Sequence, residues 1–243
     1  MSVSNLFIVD GADLETFSLS ISDFTETGAP YQVAEVPFLF NSFIKNLTIN
    51  MFNVTAIHSS LILSTSAYAS VVAKHITVSQ TGKSGNLIDL SLSQDLFFNA
   101  SDISTSESQG QSLLIVKGSN IEKSQDTSPA YFINFENIAS QNSSYKFLII
   151  TTPDDSNLSP NITTRFSNIT CTSFNGSLLE ASVPLTLTVE NVAVTNGNPS
   201  SSFINFTSNS NKSSDVKISN LSLVGLDYGR QSKNIPIHLQ IAK

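Results

Sequence analysis

The sequence predicts an all-β solenoid, a chain wound into about eight stacked coils. Three observations lead to this fold: an apolar tripeptide recurs nine times, a second apolar phrase occurs once in each interval between tripeptides, and apolar residues alternate with polar ones. Strict alternation, as in Leu185-Thr-Leu187-Thr-Val189, is typical of a half-buried strand. The chain shows no sustained 3.6-residue apolar period of the kind that predicts a helix.

The apolar tripeptide sets the length of the repeat. Its first and last copies begin at Leu6 and Ile235, which gives a mean spacing of about 29 residues, within the range of solenoid repeats. The copies between them begin at Phe38, Leu61, Leu87, Leu113, Phe147, Leu178 and Phe203. Each copy is predicted to be one strand, and Gly, Pro, Ser and Asn fill the loops around it.

The second phrase reads apolar, any residue, Asn or Asp, apolar, and predicts a one-residue bend between two further strands. Its central residues are Asp23, Asn46, His75, Asp102, Asn137, Asn168, Asn191 and Asn220. Such a bend needs a left-handed residue, and Asn tolerates that conformation better than most residues. An amide can also donate to one coil and accept from the other. We therefore expect these side chains to point inward and to form an internal ladder.

Three short strands per repeat with a bend at Asn resemble the right-handed parallel β-helix, or pectate-lyase-like, superfamily, in particular its non-catalytic surface and adhesin-type members. The resemblance covers nearly the whole chain and implies one β-helix over residues 1–243. The alternative fold is an irregular β-sandwich of about nine short strands. A sandwich does not explain why the asparagine phrase occurs once per interval.

Both ends of the chain read as strand, without a helix that would cap a solenoid. We therefore expect a segment of a longer chain, in which further repeats or other protein subunits pack end-on against the terminal coils.

The composition excludes several classes of protein. Only 13% of the residues are charged and the net charge is −7, whereas a nucleic-acid binder needs a basic face. No run approaches the ~18 apolar residues of a membrane span. The chain contains 42 Ser, 20 Thr and 23 Asn, so neutral side chains provide most of its polarity. Cys171 is the only cysteine, so an internal disulfide is impossible, and we expect it to be a small buried hydrophobe.

The most specific chemical signal is the N-glycosylation sequon, which occurs eleven times where about six are expected by chance. The predicted glycosylation sites are Asn161, Asn211, Asn142, Asn175, Asn99, Asn205 and Asn53. Three further sequons, at Asn46, Asn168 and Asn220, fall on the ladder phrase. Those three are expected to be buried and therefore bare.

The signs of catalysis are weak. The resemblance implies that enzymes of this fold act on acidic polysaccharides, with clustered aspartates and a basic residue. Paired carboxylates serve as acid and base in such chemistry. The one adjacent pair here, Asp154 and Asp155, lies in a predicted loop and is at most a weak Ca²⁺ candidate. No catalytic residue and no cofactor is therefore expected.

These observations predict an extracellular structural or adhesive rod, part of a secreted or cell-surface glycoprotein. Its partners would be N-linked glycans and further coils or subunits. A polysaccharide-acting enzyme is the main alternative. A viral fibre segment, which would be trimeric and unglycosylated, is a third.

Overall fold

The computed structural model describes residues 7–10, 13–27, 38–57, 61–79, 86–109, 112–118, 128–151, 160–197, 202–208, 214–225 and 237–241. All regular structure in these residues is β-strand. The strands are β1 (Phe7–Val9), β2 (Leu14–Thr27), β3 (Phe38–Ile57), β4 (Ile62–Ser79), β5 (Asn86–Leu92), β6 (Leu96–Ser106), β7 (Ser112–Gly118), β8 (Ala130–Gln141), β9 (Lys146–Thr151), β10 (Asn161–Thr172), β11 (Ser177–Ala181), β12 (Thr186–Thr195), β13 (Ile204–Ser208), β14 (Asp215–Val224) and β15 (Ile237–Ile241).

The strands form one 15-stranded sheet that is wound around a common core. The pairings β6 with β8, β8 with β10, and β10 with β12 are all parallel, and so are β5 with β7 and β7 with β9. Each strand therefore pairs with its equivalent one repeat away. A β-sandwich has antiparallel sheets, so this topology confirms the parallel β-helix and rules out the sandwich.

Each coil contains a short stretch of strand followed by a longer, bent one. The short stretches include β5, β7, β9, β11, β13 and β15, and the long ones include β6, β8, β10, β12 and β14. In β3 and β4 both stretches form one continuous strand, because Ile62–Ser66 pair with β5 while Ala69–Ser79 pair with β6. The described strands make up eight coils, as predicted, and β15 follows the eighth.

The bend in each long strand follows from the order of inward and outward residues. In β12 Val189 and Val192 are buried, while the two residues between them, Glu190 and Asn191, are half-buried and exposed. A flat strand alternates strictly, so two successive outward residues need a change of direction. Asn191 supplies it with a φ of 54°. The backbone turns outward at this residue, and apolar side chains on both sides of it still enter the core.

The core is continuous along the stack because equivalent apolar residues lie above one another. Phe135 and Phe166 are fully buried, and their rings stack 5.4 Å apart with an angle of 8° between the planes. Phe98 contacts Phe135 from the preceding coil at 5.3 Å. Each buried aromatic ring contributes a large apolar area, so this column of rings holds three coils together.

In the described part of the chain no helix is long and apolar enough to cross a membrane.

Candidate functional site

The bend residues form one column that follows the outer corner of the coils. Its members all have a positive φ between 51° and 56°: Asp23, Asn53, His75, Asp102, Asn137, Asn168, Asn191 and Asn220. The strand register skips each of them and resumes one residue later. The sequence prediction is thus confirmed at seven of its eight positions. We call this column the bend ladder.

The prediction that Asn46 belongs to the ladder is wrong, and Asn53 takes its place. Asn46 pairs with Tyr68 within the straight part of β3, and its Nδ2 donates to the carbonyl of Glu15 at 3.0 Å. Asn53 lies seven residues later and has the left-handed φ of 53°. In both cases an apolar residue lies two positions before the asparagine and another lies directly after it. The strand β3 therefore contains the phrase twice.

Hydrogen bonds join the ladder side chains in one direction. Asn220 Nδ2 donates to Asn191 Oδ1 at 2.9 Å, Asn191 to Asn168 at 3.1 Å, and Asn168 to Asn137 at 3.2 Å. Asn137 Nδ2 then donates to Asp102 Oδ1 at 3.2 Å. Each amide in the middle of this run both donates and accepts, so the bonds polarise one another in the same sense. A carboxylate, which only accepts, ends the run.

His75 approaches the same carboxylate from the preceding coil. Its Nδ1 lies 3.7 Å from Asp102 Oδ2. Phe52 packs edge-on against the His75 ring, with the ring centroids 5.1 Å apart. In the first two coils Asn53 Nδ2 donates to Asp23 Oδ1 at 2.5 Å. Both aspartates of the ladder therefore accept from an asparagine of the following coil.

The expectation that the ladder lies inside the coil is wrong. Asp23, Asn53, His75, Asn137 and Asn168 are exposed, as are Asn191 and Asn220, and only Asp102 is half-buried. At seven of the eight bends the residue before the left-handed one is also exposed or half-buried, so both face away from the core, and Ser167 is the exception. The ladder is a surface feature, and solvent and other molecules reach its amides.

A second column of left-handed residues lies five positions after the bend ladder. It consists of Glu107, Asn142, Ser173, Asn196 and Gly225, with φ values of 52°, 49°, 51°, 53° and 66°. The backbone N–H of each of the first four members donates a hydrogen bond to a carbonyl of the next coil, as from Asn142 N to Thr172 O at 3.0 Å. Residue type does not mark this corner in the sequence, because only three of the five residues are Asn or Gly. The constant interval of five residues is the signal that identifies it.

The predicted glycosylation sites occupy different places on the coil. Asn161, Asn142, Asn175 and Asn53 are exposed, and Asn99 and Asn205 are half-buried. Asn142 is itself a bend residue of the second column, and Asn53 one of the bend ladder. Asn99 Oδ1 accepts from Asn134 Nδ2 at 2.9 Å on the neighbouring coil. Asn211 lies outside the described residues.

Cys171 is fully buried, as expected from the sequence. Burial raises the pKa of its thiol to about 12, and a neutral thiol is a poor nucleophile. Tyr145 lies in the same interior region, where its hydroxyl donates to Thr105 and lies 3.3 Å from Ser140 Oγ. Burial also raises the pKa of the Tyr145 phenol above its ordinary value. This hydroxyl cluster satisfies its own polar atoms inside the core.

The candidates for catalysis are not brought together by the described structure. Asp154 and Asp155 lie outside the described residues. Arg165, which follows the pair by ten residues, lies 3.3 Å from Glu190 in an exposed ion pair. Among the residues whose placement is described, no three His, Cys, Asp or Glu side chains are grouped so that they could hold a metal ion.

No protein-family model, no curated protein and no solved structure matches this chain.

Proposed function

We propose that this chain is a structural or adhesive rod segment of a secreted or cell-surface glycoprotein, which displays loops and N-linked glycans on stacked coils. We place it in the right-handed, pectate-lyase-like parallel β-helix superfamily as a non-catalytic, surface-type member. The single observation that carries the proposal is the bend ladder. One column of side chains follows the coils from Asp23 to Asn220, and hydrogen bonds join most of its neighbours.

The ladder suits a load-bearing role because it adds side-chain hydrogen bonds to the backbone hydrogen bonds between coils. Each coil of a solenoid contacts only its neighbours, so stiffness depends on the bonds at each step. Coils five to eight are joined at every step by a hydrogen bond of 2.9–3.2 Å between asparagine side chains. These bonds run along the stack and resist separation of the coils.

The exposed sequons support the extracellular part of the proposal. Asn161 begins β10, Asn142 lies at the second corner and Asn175 precedes β11, and all three are exposed. Hydrated sugars on these residues would supply the solubility that charged residues supply elsewhere, since only 13% of the residues are charged. The partners that follow from this proposal are glycans on the sides and further coils or subunits at the ends.

Intact mass before and after enzymatic removal of N-glycans tests the proposal. The full chain is purified from the cells that produce it, or from the medium of a eukaryotic host after fusion to a secretion signal. We expect export and a mass decrease equal to several glycans. A chain that is exported and bare contradicts the glycoprotein assignment, and so does a chain that is retained in the cytosol of its own cells.

A further inference from the structure

Three members of the bend ladder lie in N-glycosylation sequons. They are Asn53 with Thr55, Asn168 with Thr170 and Asn220 with Ser222, in the second, sixth and eighth coils. All three asparagine side chains are exposed. Because the strands are in register, the three residues lie on one line along the outer corner.

The hydrogen bonds of the ladder leave room for a sugar on each amide nitrogen. A primary amide has two hydrogens. Asn168 Nδ2 donates one to Asn137 Oδ1 at 3.2 Å, and Asn220 Nδ2 donates one to Asn191 Oδ1 at 2.9 Å. In Asn168 the donating N–H points away from the amide's own C=O, because its Nδ2 donates to one neighbouring coil while its Oδ1 accepts from the other. An N-linked sugar replaces the other hydrogen and leaves a trans N–H in this same direction.

The sequence also spaces the acceptors so that sugars do not collide. Neighbouring coils are about 4.8 Å apart, which is less than the width of a sugar ring. The ladder asparagines next to Asn168 are Asn137 and Asn191, and Ala139 and Ala193 stand where each would need Ser or Thr. No two consecutive coils therefore carry a ladder sequon. Acceptors are at least two coils, or about 10 Å, apart.

From this arrangement we propose that Asn53, Asn168 and Asn220 carry N-linked glycans and that the bend ladder is the attachment line for a row of sugars along one edge of the rod. The inference rests on the proposed secretory route. The donor would be an oligosaccharide on a polyprenyl pyrophosphate. Nδ2 bonds to the anomeric carbon, the bond from that carbon to the pyrophosphate oxygen breaks, Nδ2 loses one proton to a base, and the lipid pyrophosphate leaves.

Glycopeptide mass spectrometry of the full chain secreted by a eukaryotic host tests this assignment. We expect glycans on the peptides that contain Asn53, Asn168 and Asn220. The variants Thr55→Ala, Thr170→Ala and Ser222→Ala keep each asparagine and remove only its sequon, so each is expected to lose one glycan. Thr163→Ala, which removes the sequon of Asn161 outside the ladder, is the matched control and leaves the three ladder sites modified.

The outcomes separate this inference from the proposed function. If Asn161 and Asn175 carry sugar while the three ladder asparagines are bare, the row of glycans is wrong and the glycoprotein rod stands. If every sequon is bare, both fall. Thermal unfolding supplies a second readout, measured on the wild type and on Thr170→Ala after both have been trimmed to one sugar per site. The two proteins should have Tm values within a few degrees of each other. A much lower Tm for the wild type would show that the sugar on Asn168 breaks the ladder.

Discussion

At the residue scale, the ladder asparagines combine a backbone role with a bonding role. Asn191 has a left-handed φ of 54°, accepts from Asn220 and donates to Asn168. A left-handed conformation costs other L-residues about 1–2 kcal/mol. A net hydrogen bond contributes about 0.5–1.5 kcal/mol, and exposure places these bonds at the low end. The two effects can be separated by substitution.

Asn191→Ala removes both bonds and places an unfavourable residue in the bend, so we expect a loss of about 1–3 kcal/mol in the free energy of unfolding. Asn191→Gly removes the bonds but tolerates the conformation, and is expected to lie between the wild type and the Ala variant. Urea unfolding measures both. An Ala variant as stable as the wild type would show that the ladder contributes nothing to stability.

Cys171 provides a residue-scale prediction about pH. Burial raises the pKa of its thiol to about 12, so the thiolate is scarce at every pH below that value. In the folded protein a thiol-specific chromogenic reagent at pH 8 should not react with Cys171, and it should react at once after denaturation. Rapid labelling of the folded protein at pH 8 would contradict the burial of this side chain.

At the scale of the strand and turn, the link from β10 to β11 depends on a glycine. A Cβ on Gly176 would lie 1.8 Å from the Tyr145 carbonyl oxygen and 2.7 Å from Phe174 Cζ. The backbone of the neighbouring coil would have to move, and the bond from Ser177 N to that carbonyl, now 3.3 Å, would be lost. This close approach brings the turns before β9 and β11 together at the corner.

Gly176→Ala is therefore expected to destabilise the protein by about 2 kcal/mol or more, in the range of substitutions that strain the backbone of a packed core. Ser182→Ala, at an exposed position in the next turn, is the control and should change stability by less than about 0.5 kcal/mol. Denaturant titration of both variants measures the difference. Equal stabilities would mean that the turn does not have the close contact described.

At this scale the strands could be predicted from the sequence and the corners only in part. The tripeptides around Leu113, Phe147 and Leu178 identified β7, β9 and β11, because apolar runs report burial directly. The phrase could not choose between Asn46 and Asn53, since both satisfy it and only pairing with Asp23 decides. The phrase also led us to expect inward side chains, whereas most of the ladder residues are exposed at the corner. Mixed residue types hid the second corner, since Glu107 and Ser173 stand there beside Asn and Gly.

At the scale of the whole molecule, the coils form a rod whose length is set by the number of strands. The outward residues two positions after the bend ladder are in register from the first coil to the eighth, and they include Thr25, Ala139 and Ser222. All three are exposed. Thr25 and Ala139 are separated by four steps along the stack, and Thr25 and Ser222 by seven. At about 4.8 Å per step, the separations are about 19 Å and 34 Å.

Pulsed electron spin resonance between spin labels on this line tests the rod most directly. The labels go to cysteines introduced in the pairs Thr25→Cys with Ala139→Cys and Thr25→Cys with Ser222→Cys, since buried Cys171 is expected to stay unlabelled. We predict two narrow distributions, centred near 19 Å and 34 Å, with the distance growing in proportion to the number of coils. Two similar distances, or a shorter one for Thr25 with Ser222, would contradict the stacked rod.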